Sequence, residues 1–125
     1  MRLLVTGGSG FLGGYVLSEA ARRGHEMVAL ARSPAAAAVW TVQPQTVLSP
    51  REAFFAPNET VLASAAVGRI SAELVAPYPP GVPVLAPGEL ITAEALAALR
   101  EVAADGGRIA YAADPTLATF QVVAA

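Results

Sequence analysis

The stretch Thr92-Ala-Glu-Ala-Leu-Ala-Ala-Leu-Arg-Glu-Val-Ala-Ala-Asp-Gly-Gly107 reads as one amphipathic helix with both ends marked. Thr92 is an N-cap residue, whose hydroxyl oxygen accepts an N–H of the first turn, and Gly106-Gly107 supplies the left-handed residue that stops a helix. Leu96, Leu99, Val102 and Ala103 fall on one stripe. A helix with an apolar stripe needs a sheet to cover it, and strand candidates lie on both sides of it in the chain.

Downstream, Arg108-Ile-Ala-Tyr-Ala112 and Thr119-Phe-Gln-Val-Val123 read as strands separated by Asp114-Pro115. Upstream, residues 70–75 read as a strand and Val84-Leu-Ala86 as a brief one, followed by a Pro87-Gly88 turn. Between them Pro77-Tyr-Pro-Pro-Gly-Val-Pro83 holds four prolines and a glycine, which deny the chain regular hydrogen bonding and lay it as a stiff segment over the surface. Earlier still, Ser49-Pro-Arg-Glu52 is a capping box with proline at the first helical position, predicting a short helix through Ala53-Phe54-Phe55. This is an α+β pattern over residues 49–125. Pro34-Ala-Ala-Ala-Ala-Val-Trp40 marks a shift in composition, and residues 35–48 are expected to be a linker.

Residues 1–34 read differently. Arg2-Leu-Leu-Val-Thr6 is a nearly continuous apolar run, as in a parallel strand covered on both faces. It enters Thr6-Gly7-Gly8-Ser9-Gly10-Phe11-Leu12-Gly13-Gly14, after which helical spacing runs to Gly24 and a second strand follows at Met27-Val-Ala-Leu-Ala31. The order strand, glycine turn, helix, strand is the setting in which such glycines carry meaning. Gly7 permits the tight exit, Gly10 lets backbone approach a pyrophosphate, and Gly13 allows close helix–strand packing. The phosphates would meet the N–H groups of the helix N-terminus without any lysine.

Composition narrows the chemistry. With 54% hydrophobic and 14% charged residues, the 125-residue chain is expected to fold, and no apolar run approaches the ~20 residues that span a bilayer. A formal net charge of −2 argues against a nucleic-acid partner, while the absence of cysteine excludes disulfides and thiolate metal sites. The N-terminus lacks the features of a signal peptide, and a cytoplasmic location without membrane partner is expected. All eight basic side chains are arginine and His25 is the one imidazole. Neither a lysine Schiff base nor a multi-histidine metal site is therefore available from these residues.

Two resemblances follow from these motifs. The segment around Thr6 to Gly13 resembles the N-terminus of extended and atypical short-chain dehydrogenases/reductases, the epimerase type. That resemblance implies a partial Rossmann-like unit over residues 1–34, with nucleotide contacts from Thr6, Gly7, Gly10, Phe11, Leu12, Gly13 and Arg32. Arg32-Ser33 stands where an acidic residue would favour NAD, so weakly bound NADP is the implied cofactor. The family's Tyr-x-x-x-Lys pair is absent because lysine is absent.

The second resemblance is carried by Ser49-Pro-Arg-Glu-Ala-Phe-Phe-Ala56, Gly68-Arg-Ile-Ser-Ala-Glu73, Tyr78-Pro-Pro-Gly-Val-Pro83, Pro87-Gly-Glu89 and Ala113-Asp-Pro-Thr-Leu117. From about residue 39 to 123 these closely resemble the C-terminal region of the ornithine/lysine/arginine decarboxylases. The resemblance implies a parent enzyme dependent on pyridoxal phosphate (PLP), which reaches this region only through a separate large domain. It implies a module that helps complete the substrate entrance, where Glu73 and Glu89 either face a cationic substrate or, more commonly for surface carboxylates, are solvated or paired with arginines. A PLP-domain decarboxylase subunit or a homo-oligomer is the implied partner. No catalytic or metal-binding residue is assigned, and the overall expectation is a chimera of α/β and α+β parts, non-catalytic by itself.

Overall fold

In a computed structural model, residues 1–5, 11–30, 33–78 and 81–125 are described, residues 11–14, 36 and 40 by backbone alone. The helix at the centre of the sequence argument, α5 (Ala93–Ala104), forms as its caps demand: the Thr92 hydroxyl accepts the Ala95 N–H at 3.1 Å. Leu96, Leu99 and Val102 are buried together with Ala95 and Ala98. Ala103, expected on the stripe, is exposed.

The cover over α5 comes from short strands. β3 (Asn58–Leu62) pairs antiparallel with β6 (Thr119–Val123), and β4 (Ala76–Tyr78) antiparallel with β5 (Arg108–Ala110). Isolated bridges extend the β3–β6 pair sideways, Ser71 to Val122, Ile70 to Leu90 and Thr46 to Glu89. The core collects Phe120 and Val122 from β6, Ile109 from β5, and Val75, Leu85 and Ile91 from the connections, all against the α5 stripe. α2 (Pro34–Ala38), a 3-10 turn at Val39–Thr41, α3 (Pro50–Phe55) and α4 (Ala63–Ala66) complete this body.

Several expectations change here. Residues 70–75 make bridges instead of a continuous strand, because the Ser71 hydroxyl donates to the Glu73 carbonyl at 2.8 Å and accepts the Glu73 N–H at 3.3 Å, curling the chain. Residues 84–86 likewise give one bridge, Leu85 to Val75. The proline segment does not lie wholly on the surface: Pro77 is buried within β4, opposite Ile109. Of the expected linker, Ala35 and Val39 belong to the core. β3 and α4 have no counterpart in the sequence reading.

At the other end, β1 (Arg2–Val5) and β2 (Glu26–Ala29) pair in parallel with α1 (Phe11–Arg22) between them, and Gly24 takes φ +76° after the helix. The two strands are not covered on both faces, since Leu4 is 67% exposed and its partner Val28 is 37% exposed. Among the described residues, the core around α5 begins at Ala35. No described helix is long and apolar enough to cross a membrane.

Candidate functional site

Two of the sequence motifs, residues 68–73 and 113–117, meet at one carboxylate. Glu73 accepts the Gln121 N–H through Oε1 and the Ala113 N–H through Oε2, both at 2.8 Å, so one side chain ties residues 71–73 to β6 and to the segment after β5. Ser71, fully buried, holds the Glu73 backbone from below. Ionised carboxylates are acceptors only, and two oxygens facing two backbone donors is a satisfied arrangement.

Glu89 does similar work one strand away. Its Oε2 accepts the Ala86 N–H at 2.9 Å and its carbonyl accepts the Ser71 N–H at 2.8 Å. Gly88, just before it, is closely packed against backbone. Its N–H donates to the Ser71 carbonyl, its carbonyl receives Val47 N–H and Leu48 N–H, and at φ +92° it passes directly beside the Leu48 carbonyl. Only a residue without Cβ fits there.

Asp114 organises the last loop. Its carboxylate accepts the backbone N–H and hydroxyl of both Thr116 and Thr119, and these bonds, led by the Thr116 hydroxyl, lower its pKa to about 2. Leu117 is thereby held at φ 60° with its side chain in the core. Arg69 crosses to Glu59 of β3 and donates to the Val123 carbonyl at 3.0 Å, fastening the loop of residues 68–73 to the far end of β6.

α3 carries the remaining motif. Both halves of its capping box are present, Ser49 Oγ accepting the Glu52 N–H and Glu52 accepting the Ser49 N–H, and the bonds from Ser49 lower the Glu52 pKa. Ala53 faces the body, whereas Phe54 and Phe55 are each 70% exposed. An open apolar groove of about 320 Å³ runs between α4 and α5, with Ser64 and Arg100 its polar edges.

Glu73 and Glu89, the carboxylates expected at an entrance, both accept backbone N–H groups of this body. Among the described residues neither pairs with an arginine. Of the expected nucleotide contacts, Thr6, Gly7, Gly10 and Arg32 lie outside the described residues, and Phe11, Leu12 and Gly13 form the first turn of α1. The stapling role of Asp114 and the Gly88–Leu48 contact escaped the sequence reading. An Asp-Pro-Thr run, a local Asx-type turn signal, was the available clue to the first.

Residues 33–104 match the family described as "Orn/Lys/Arg decarboxylase, C-terminal domain". The arginine decarboxylase of Halalkalibacterium halodurans is 41% identical over 92 residues, 74% of this chain and 18% of that protein. The arginine decarboxylase of Bacillus subtilis is 49% identical over 51 residues, 41% of this chain and 10% of that protein. Among solved structures, the constitutive lysine decarboxylase of Escherichia coli aligns with a TM-score of 0.56 at 29% identity, over 72% of this chain and 15% of the other. The chain therefore spans less than a fifth of the length of these relatives.

Proposed function

Because the chain belongs to the Orn/Lys/Arg decarboxylase C-terminal domain family, we propose that its body works as the non-catalytic closing module of a basic amino-acid decarboxylase. The observation that carries this reading is the use made of the motif carboxylates. Glu73, Glu89 and Asp114 direct oxygens to backbone N–H groups and set the shape of three loops, which is a scaffold's task. A scaffold of this kind presents a fixed wall to a neighbouring active site and performs no bond chemistry.

PLP, implied for the parent enzyme, does not fit this chain's own residues. The cofactor is held through a lysine, and the sequence contains none. The electron sink for decarboxylation must come from another domain. Purified chain incubated with PLP and arginine, lysine or ornithine is expected to release no carbon dioxide above a cofactor-only blank. Release above that blank would overturn the proposal.

A second reading concerns residues 1–34, favoured by the parallel β1–β2 pair with α1 between. We propose that the sequence from Thr6 to Gly13 binds the phosphates of NADP weakly and that Arg32 meets its 2′-phosphate. With one strand–helix–strand unit in place of two halves, dissociation is expected at about millimolar or weaker, since each ~1.4 kcal/mol of missing contact is a tenfold loss. Calorimetric titration with NADP tests it, and micromolar binding would make the chain a nucleotide-binding protein first.

A further inference from the structure

We infer that the outer face of α3, made by Phe54, Phe55 and Arg51, is the surface by which the module docks on the larger part of a decarboxylase of its family, an inference that rests on the closing-module reading above. The helix is fixed before any partner arrives. Pro50 starts it, the reciprocal Ser49–Glu52 bonds close its first turn, and Ala53 is 1% exposed beneath it. On the opposite side the two phenylalanine rings meet edge to face, centroids 5.2 Å apart at 85°, and the Arg51 guanidinium lies 5.2 Å over the Phe55 ring.

Neither ring serves the core. An aromatic pair beside an arginine has the composition of an interface anchor, and a stacked, pre-ordered group loses little rotamer freedom on docking. The occupant follows from what lies outside the match. More than four-fifths of each relative is beyond it, and the matched family is by description a C-terminal domain, so in such a protein a module of this kind is joined to a much larger body that an exposed aromatic face can meet. Three side chains cover only a fraction of the ~800 Å² that a stable interface takes from each partner, which favours a large surface over a second copy of this face. The complementary surface is an apolar cleft admitting two rings, bordered by a carboxylate for Arg51.

The test uses the Halalkalibacterium halodurans arginine decarboxylase without its matching C-terminal segment as probe, taken forward once it melts cooperatively. The full chain, Phe54→Ser/Phe55→Ser, Arg51→Glu and the exposed-aromatic control Tyr111→Ser are titrated against it. The full chain and Tyr111→Ser should bind alike, with the double variant at least about 100-fold weaker and still melting like the parent, since two central aromatic anchors are lost. Arg51→Glu should also weaken binding, and it carries the test if the double variant fails to fold. Equal binding by parent and α3 variants overturns the docking surface and leaves the closing-module reading standing. No binding by the parent overturns both. Self-association of the parent without probe, abolished in the double variant, assigns the face to a second copy and overturns the inference.

Discussion

Replacing Gly88 by alanine isolates the close approach of this turn to residues 47–49. A Cβ at this position would lie 2.2 Å from the Leu48 carbonyl oxygen, 2.9 Å from its carbon and 3.2 Å from the Ser49 oxygen. All three are backbone atoms, so no side chain swings aside to make room. Gly106 is the natural comparison: it has φ +84° against +92° at Gly88, yet nothing lies within 4 Å of its added Cβ. Gly106→Ala therefore costs only the left-handed conformation, about 1–2 kcal/mol. Gly88→Ala carries that cost and must also push residues 47–49 away, weakening the bonds from Val47 N–H and Leu48 N–H to the Gly88 carbonyl. At about 0.5–1.5 kcal/mol for each hydrogen bond, the total is roughly 2–5 kcal/mol. Urea unfolding followed by circular dichroism measures both variants, with the midpoint expected to fall further for Gly88→Ala at an unchanged slope. If the two variants agree within about 0.5 kcal/mol, the Leu48 approach does not carry the stability argued for it.

Leu99 is fully buried on the α5 stripe, so Leu99→Ala is expected to lower unfolding free energy by ~2–5 kcal/mol, read by the same denaturation curves. Glu73→Gln leaves one oxygen facing one N–H and sets an NH2 against the other, and it should destabilise by roughly 1–3 kcal/mol, with exchange of the Ala113 and Gln121 amides accelerated. The Asp114 pKa is depressed from 3.8 to about 2 in the fold, so its contribution is complete above about pH 4 and disappears as pH falls toward 2; Asp114→Asn should flatten that part of the acid-unfolding curve.

What the sequence by itself determined is what neighbours three or four residues apart decide. The Thr92 cap, the Leu96/Leu99/Val102 stripe, the Ser49–Glu52 box and the glycine after α1 are all local, and each stands where it was read. β6 was legible too, because Phe120 and Val122 alternate with half-buried residues along a fully formed strand. Its partner β3 was not: Asn-Glu-Thr-Val-Leu exposes four of its five residues, so no alternation betrays it, and only pairing with β6 makes it a strand. The family motifs were readable as motifs, but their use was not. Glu73 reaches donors 40 and 48 positions ahead, and Arg69 reaches a carbonyl 54 positions ahead. The same distance in sequence hid the packing of Ala35 and Val39 into a core built from residues 63–122. A carboxylate that will face a substrate and one that will hold two backbone amides are the same letter in a sequence. Tertiary structure decides that Glu73 holds two amides, because only the folded chain brings those donors within 3 Å of it.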